Sequence, residues 1–190
     1  GNLGMTQRGR VEYGLNGGAS NTDFIDNAGG VDCSDHEVNI KILLGEIVAA
    51  GDMTGKQRNK LLAEMTDAVG SLVLGNNYKQ TQALSLAQRR ARERIGEYKR
   101  LIAALEAAGK LDRALEFLPS DEELNERTAN GQGLTRPELS VLISYSKIDL
   151  KESLLKSLVP DDDYLAREME TAFPPLLAKK FGDSMGRHRL

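Results

Sequence analysis

The sequence predicts a mainly α-helical protein, and two observations support that prediction. From Asp35 almost to the end of the 190-residue chain, apolar residues recur at the spacing of a buried helix face. Residues 1–34 differ, because they are rich in glycine and contain only short apolar pieces, a composition typical of loops and short strands. We therefore expect any strand to lie within about residues 10–30.

The first predicted helix runs from Asp35 to Ala50 and is apolar around most of its circumference. Ser34 and Glu37 form an S-x-x-E pattern immediately before this apolar run, which is typical of a capping box. Gly51 is expected to end the helix.

Two further helices are predicted in the middle of the chain. One is expected to start at Thr54, where Gln57 completes a capping box, and to end at Gly75. The next is expected to be one long helix over residues 80–109, closed by Gly109, because small and apolar residues line one face throughout.

Beyond residue 109, shorter helices are predicted, and their apolar positions are interpreted as ordinary core. Each helix begins or breaks at a recognisable pattern. These patterns are Ser120 with Glu123, Thr135 with Glu138, the run PDDD before Tyr164, and the helix-breaking pair Pro174-Pro175.

Composition argues against several classes of protein. A net charge of -3 and a sequence pI near 5.5 argue against a general nucleic-acid binder. A single cysteine, Cys33, cannot form an internal disulfide, and no apolar run approaches the roughly 20 residues of a membrane-spanning helix. We therefore expect a soluble, cytoplasmic protein. Because the sequence opens on glycine without an initiating methionine, we also expect a piece of a larger protein.

The stretch from Asn21 to Glu37 concentrates reactive side chains, so metal and nucleophile chemistry must be weighed. Cys33 and His36 have a spacing that zinc sites use, but such sites need at least three well-placed ligands, and the only other histidine is His188. A Cys33–His36 nucleophile pair also lacks an orienting third group. We expect no metal site and no catalysis by Cys33. The possible ligands considered are Asp32, Cys33, Asp35, His36 and Glu37.

Residues 89–100, RRARERIGEYKR, form a basic run, and a basic helix face is one kind of surface that binds phosphates. Glu93 and Glu97 lie within the same run and supply partners one helical turn away from its arginines. Together with the overall acidic charge, this favours a solvated helix face over a nucleic-acid site.

The pair Gly29-Gly30 in the run Asn27 to Gly30 has two interpretations on physical grounds alone. Adjacent glycines before a helix permit unusual backbone dihedrals, as in a tight turn. They also permit close approach of a small acidic ligand or a cofactor edge to a helix N-terminus. Both interpretations stay open at this point.

The segment FIDNAGGVDCSDHE resembles a motif of glutamate dehydrogenases: Asn-Ala-Gly-Gly-Val, two variable residues, Ser and a nearby Glu. Residues 27–31, Ser34 and Glu37 match it. Upstream, GNLGMTQRGR is similar to the family's Gly-Ala-Asn loop. The run LTRPELSVLISYSKI resembles the NAD-specific bacterial enzymes with very large subunits, so the likeness covers essentially the whole chain.

The resemblance implies a fold and an activity for the parent protein. Residues 1–51 would be the terminal, Gly-rich remnant of an α/β nucleotide-binding domain, and residues 52–190 a helical C-terminal region. The parent would oxidatively deaminate L-glutamate to 2-oxoglutarate and ammonia with NAD as cofactor. It would act as a homo-oligomer, without nucleic-acid or membrane partners.

The same resemblance assigns roles to three residues. Asn2 and Asn27 would lie near the nicotinamide end of NAD, and Ser34 would help to hold the side-chain carboxylate of glutamate. Asp32, Cys33 and His36 depart from the aliphatic and aromatic residues of the small-subunit enzymes, so this wall of the pocket would differ in shape.

The isolated chain is expected to be inactive. No complete G-x-G-x-x-G follows a predicted strand, and the lysines and aspartate of the family's proton chemistry have no match here, so no catalytic residue is assigned. The competing hypothesis is a non-enzymatic helical module used for oligomerisation or regulation.

Overall fold

A computed structural model gives the structure of residues 4–165, 167–186 and 188. Within those ranges the chain forms helices and turns and contains no strand, which confirms the mainly α prediction. The helices are α1 (Gln7–Leu15), α2 (Asp23–Asp26), α3 (Ala28–Ala49), α4 (Gly55–Glu64), α5 (Thr66–Arg89), α6 (Ile95–Ala107), α7 (Asp121–Ala129), α8 (Arg136–Leu155), α9 (Arg167–Ala172) and α10 (Pro175–Met185), with a 3-10 turn at Val159–Asp161.

The chain folds into two compact units that interleave along the sequence. The first unit comprises Gly1–Asn27 and Lys79–Glu152, and the second comprises Ala28–Tyr78 and Ser153–Leu190. Helices α5 and α8 therefore each contribute residues to both units. This division differs in kind from the domain boundary predicted after residue 51, which stays a prediction, as does the α/β origin of the preceding residues.

The first unit is built around α6, α7, the first part of α8 and the last part of α5. Its core consists of aliphatic side chains at helical spacing, and each fully buried leucine or isoleucine contributes about 1.5–3 kcal/mol relative to an exposed one. Ile25 of α2 joins this core with 3% exposure. The most completely buried members are Leu84, Ile102, Leu124, Leu139, Val141 and Leu142.

The second unit packs α3 with α4 and α10. One face of α3 supplies Ile40, Leu43, Leu44 and Ile47, whose spacing of three and four residues places them on one stripe. Leu61, Met65, Phe173, Leu177 and Met185 complete the core. No helix in the described ranges is long and apolar enough to cross a membrane.

Several predicted helix ends are confirmed. Gly51 and Gly109 end α3 and α6 with positive φ of 84° and 66°, the left-handed conformation that glycine adopts without steric cost. Both complete capping boxes occur as predicted, at Thr54 with Gln57 and at Ser120 with Glu123, and Pro174 separates α9 from α10.

The interpretation of Ser34 as a helix cap is wrong. Helix α3 begins at Ala28, so Ser34 and Glu37 lie inside it, and Gly29 and Gly30 belong to its first turn. A glycine in a helix costs only about 1 kcal/mol relative to alanine, and the buried face of α3 offsets that cost. The expectation of loops and short strands before residue 34 is wrong for the same reason, since α1 and α2 also form there.

Two further helix boundaries differ from the prediction. Gly75 does not end a helix but lies within α5, where a Cβ would meet nothing within 4 Å. The predicted long helix is interrupted by turns at residues 90–94. The loop before α8 comes close there: a Cβ on Gly133 would lie 2.8 Å from the Arg92 nitrogen, so a tertiary contact overrides local helix propensity.

The basic run at residues 89–100 is largely solvated, as predicted. Arg94 forms an ion pair with Glu97, and both side chains are nearly half exposed. The hydrogen bond from Arg94 lowers the pKa of the Glu97 carboxyl, and the same contact raises the pKa of Arg94.

A buried ion pair fixes the start of α8. Glu138 is 0% exposed, and its carboxylate oxygens accept hydrogen bonds from Arg127 at 2.8 and 2.9 Å. The backbone N–H and the hydroxyl of Thr135 donate to the same carboxylate at 2.6 and 2.8 Å. Thr135 thus marks the helix start that the sequence predicted, and Glu138 is fully satisfied inside the unit.

We predict that Glu138→Gln lowers the free energy of unfolding by about 3–5 kcal/mol, because it leaves the Arg127 charge buried without its partner. Urea unfolding of the chain measures the change. The matched control is Glu37→Gln, which removes an exposed partner of Lys41 and is expected to cost less than about 1 kcal/mol. Equal losses for the two variants would contradict this account of Glu138.

Candidate functional site

The segment that carries the predicted site consists of two helices joined at a turn, and it is not an open loop. Asn27 is the C-cap of α2, with φ of -118° and ψ of 17°, and its N–H donates to the Asp23 carbonyl at 3.0 Å. Helix α3 begins at the next residue, Ala28. A Cβ on Gly29 would lie 3.9 Å from side-chain atoms of Val73 and Asn77 of α5, so this turn of α3 runs beside α5.

Asn27 and Ser34 both present unbound polar groups to solvent. Both are exposed, and within the described ranges neither the Asn27 amide nor the Ser34 hydroxyl makes a hydrogen bond. Other helical serines behave differently: the hydroxyls of Ser71, Ser85 and Ser140 each donate to the carbonyl four residues earlier. The polar groups at the two predicted positions are therefore available to a ligand.

The third predicted residue, Asn2, lies outside the described residues. Asn27 belongs to the first unit and Ser34 to the second. Each position is accordingly characterised within its own unit.

Asp32 and His36 lie on a different face of α3 from Ser34 and contact α5. The Asn76 amide donates to the Asp32 carboxylate at 3.1 Å and lies 3.4 Å from His36 Nε2. His36 Nε2 is 3.9 Å from the Asp32 carboxylate and the residue is 8% exposed. Asp32 and His36 therefore have a packing role, since both contact Asn76 within the second unit.

A small cavity of about 150 Å³ lies beside His36. His188 lines it and lies with Nε2 2.9 Å from the Asn39 carbonyl, and its ring meets the Phe173 ring edge-on at 5.6 Å. Cys33 is exposed whereas His36 is buried, so the two residues do not share a surface. Among the described residues, no three His, Cys, Asp or Glu side chains form a group that would suit a metal ion.

Immediately before Asn27, a polar network holds the chain in the first unit. Asn21 is 9% exposed, and its amide donates to Asp26 Oδ1 at 2.7 Å. Arg10 of α1, 7% exposed, donates to the Asn21 carbonyl at 2.8 Å and to Asp26 Oδ2 at 3.0 Å, and it also pairs with Asp23. This network fixes α2, whose C-cap is Asn27.

Arg136, the first residue of α8, joins that network from the other end of the chain. Its Nε donates to Asn21 Oδ1 at 2.6 Å. Its remaining N–H groups donate to the Ser85 hydroxyl at 2.9 Å, the Thr81 carbonyl at 3.1 Å and the Gln88 side chain at 3.4 Å. The guanidinium therefore bridges α5 and the segment before α2.

Close packing of the Gly14 backbone against side chains accompanies these hydrogen bonds. A Cβ on Gly14 of α1 would lie 3.1 Å from Thr135 Cβ and 3.7 Å from Pro137 Cδ, which only glycine permits without displacement. Gln7 donates to the Pro137 carbonyl at 3.5 Å. Helix α1 thus lies directly against the start of α8.

Sequence reasoning missed Arg10, Asn21 and Arg136. Asn21 and Arg136 are 115 residues apart, so no local pattern connects them. A charged residue at the first position of a helix, as Arg136 is, is also common on protein surfaces.

Comparison with known proteins connects both ends of this network to one family. Residues 1–87 match the family model described as bacterial NAD-glutamate dehydrogenase, catalytic domain. Residues 131–190 match the model described as glutamate dehydrogenase, C-terminal. Arg10, Asn21 and Asp26 thus lie in the first matched region and Arg136 in the second.

Curated relatives match the whole chain. The NAD-specific glutamate dehydrogenase of Pseudomonas aeruginosa is 85% identical over 190 residues, that of Halomonas elongata 63%, and that of Mycobacterium tuberculosis 43%. The chain spans 12% of the length of each of these relatives. No solved structure matches it.

Two family models that together cover most of the chain, and relatives that align with every residue of it, show that the chain belongs to the bacterial NAD-specific glutamate dehydrogenase family.

Proposed function

We propose that this chain supplies one wall of the active site of an enzyme that oxidatively deaminates L-glutamate to 2-oxoglutarate and ammonia with NAD. The relatives that align with the whole chain are named NAD-specific glutamate dehydrogenases. Because the chain spans 12% of their length, the activity is proposed for the whole protein. The isolated chain is proposed to be inactive.

The observation that supports this proposal best is the exposure of two unbound polar groups in the family motif. The amide of Asn27 offers both a donor and an acceptor, which complement the carboxamide of nicotinamide. The hydroxyl of Ser34 is able to donate to the side-chain carboxylate of glutamate. Asn2 is proposed to lie beside the nicotinamide as well.

The fit to NAD is partial and limited to the nicotinamide end. NAD, when bound, accepts a hydride from the substrate. In this chain the proposed role of Asn27 is to orient the nicotinamide ring, and that of Ser34 is to orient the substrate. The sequence contains no complete G-x-G-x-x-G, so the pyrophosphate is proposed to bind residues elsewhere in the whole protein.

Further proposals concern the parent protein. It is proposed to be cytoplasmic and homo-oligomeric, and to have no nucleic-acid or membrane partner. The net charge of -3 supports the absence of a nucleic-acid partner. The boundary after residue 51, between the end of the nucleotide-binding domain and the helical region, is likewise a proposal.

We predict that the full-length protein reduces NAD when L-glutamate is present and that the isolated 190-residue chain does not, because the chain lacks a phosphate-binding loop and proton-transfer groups. The formation of NADH, followed by absorbance, measures both. Calorimetric titration of the chain with NAD is expected to show weak binding at most. Turnover by the isolated chain, or no glutamate-dependent reduction by the full-length protein, would contradict the proposal.

We predict that Ser34→Ala in the full-length enzyme lowers kcat/KM for glutamate by about ten- to a hundredfold, the effect of losing a hydrogen bond to a charged group. KM for NAD should hardly change. The melting temperature should also hold, because Ser34 is exposed and does not cap α3.

The matched control for that variant is Ser71→Ala, which removes an exposed helical hydroxyl that donates to the Asp67 carbonyl. It should leave the kinetics for glutamate unchanged. Unaltered glutamate kinetics in the Ser34 variant would remove Ser34 from the substrate site.

A further inference from the structure

We infer that Arg136, in the region that matches the C-terminal family model, is a positioning residue for Asn27, in the region that matches the catalytic-domain model. The inference rests on the proposed function, in which Asn27 orients the nicotinamide. It assigns to the C-terminal region a direct influence on how the enzyme binds NAD.

The connection consists of two short hydrogen bonds in series. Arg136 Nε donates to Asn21 Oδ1 at 2.6 Å, and Asn21 Nδ2 donates to Asp26 Oδ1 at 2.7 Å. Asp26 is the last residue of α2, and Asn27 follows it directly. An orientation imposed on Asp26 therefore passes to the Asn27 backbone through one peptide bond.

Helix α2 depends on such external contacts. It has four residues, and its N-cap Thr22 makes no side-chain capping bond. A single helical turn is unstable alone, because nucleation fixes several residues for one hydrogen bond. Ile25 is 3% exposed, and the other contacts shown for α2 are polar, from Arg10 to Asp23 and Asp26 and from Asn21 to Asp26.

The side chain of Asn21 is the junction between Arg136 and Asp26, because both the oxygen and the nitrogen of its amide form hydrogen bonds. Its oxygen accepts from Arg136 and its nitrogen donates to Asp26. Arg10 closes the junction from α1 by bonding the Asn21 carbonyl and the Asp26 carboxylate. Because Asn21 is 9% exposed, loss of one partner would leave a buried polar group unsatisfied.

Arginine is suited to this position and lysine is not. The Arg136 guanidinium makes four hydrogen bonds in different directions, three of which go to Thr81, Ser85 and Gln88 of α5. These three fix the guanidinium independently of Asn21, so Arg136 positions Asn21 and does not merely follow it. The point charge of lysine lacks this fork of donors.

The charges around the junction are balanced. Arg10 and Arg136 supply two positive charges, and Asp23 and Asp26 supply two negative charges, with the neutral amide of Asn21 between them. Loss of the Arg136 guanidinium would remove the donor that holds the side-chain oxygen of Asn21, whose amide nitrogen donates to Asp26. We expect α2 to shift and the Asn27 amide to leave its orientation.

The experiment compares Arg136→Gln and Arg136→Lys in the full-length enzyme. We expect KM for NAD to rise about tenfold in Arg136→Gln, the factor that corresponds to one lost hydrogen bond, with less than about a twofold change in KM for glutamate. In Arg136→Lys, KM for NAD should rise by a smaller factor. Amide hydrogen exchange of residues 22–27 should accelerate in both variants.

The matched control is Arg113→Gln in the same unit. Arg113 is also mostly buried and donates to the Pro119 carbonyl at 2.7 Å and to Asp121 at 2.8 Å, without contacting α2. The substitution should lower the melting temperature. It should change neither KM for NAD nor amide hydrogen exchange at residues 22–27.

A second variant, Asn21→Asp, tests the junction itself. Aspartate still accepts from Arg136 but cannot donate to Asp26, so KM for NAD should rise while the Arg136 contact persists. If the Arg136 variants change KM for NAD no more than Arg113→Gln does, or leave exchange at residues 22–27 unchanged, Arg136 is structural only and the inference is overturned. Absence of glutamate-dependent NAD reduction in the unmodified enzyme would instead contradict the proposed function, and the exchange measurement would still decide the link from Arg136 to α2.

Discussion

The hydrogen bond between Arg136 and Asn21 is the interaction on which the start of the described chain depends. In residues 4–27 only Val11 and Ile25 are buried apolar side chains, so hydrophobic burial alone gives this segment little stability. Polar contacts must therefore decide where α1 and α2 lie in the first unit. Arg136 supplies a contact to this network from beyond residue 130, across 115 residues of sequence.

The start of α8 is held by several buried hydrogen bonds. Glu138 is fully buried and satisfied by Arg127 and Thr135, which fixes the first turn that carries Arg136. Later in the same helix, the hydroxyl of Tyr145 donates to Glu116 at 2.7 Å, and this bond, with burial, raises the pKa of Tyr145 to about 12. Interactions on several sides of α8 thus hold the helix in place. Arg136 is able to position Asn21 because its own helix is held in this way.

Helix α3 has one buried face and one exposed face. Ile40, Leu43 and Leu44 pack in the core of the second unit, and His36 binds within that unit beside Asn76. Ser34 lies on an exposed part of the same helix, and its hydroxyl makes no hydrogen bond within the part of the chain that the structure describes. The crowding of reactive side chains before Glu37 therefore has two causes, packing for His36 and its neighbour Asp32, and a proposed substrate contact for Ser34.

The sequence predicted those parts of the fold in which local and tertiary preferences agree. The apolar spacing of α3, the capping boxes at Thr54 and Ser120, and the glycine stop at Gly51 follow from local chemistry and are confirmed. Ser34 resembled a cap because its pattern is correct, but helix α3 had already begun at Ala28.

Other features could not be predicted from the sequence alone. Glycine content before residue 34 suggested loops, yet tertiary contacts make that segment helical. The motif around Asn27 was sufficient to indicate the family. The Asn21–Arg136 contact is visible only in the three-dimensional structure, since no pattern in the sequence relates two residues so far apart.

A double-mutant cycle on Asn21→Ala and Arg136→Gln, read out as kcat/KM for NAD in the full-length enzyme, tests the central claim most directly. If the Arg136 contact acts on Asn27 through Asn21, the second substitution should add little to the first, and the coupling energy should reach about 1 kcal/mol or more. Effects that add to within about 0.5 kcal/mol would show that the two residues act independently and would contradict the account.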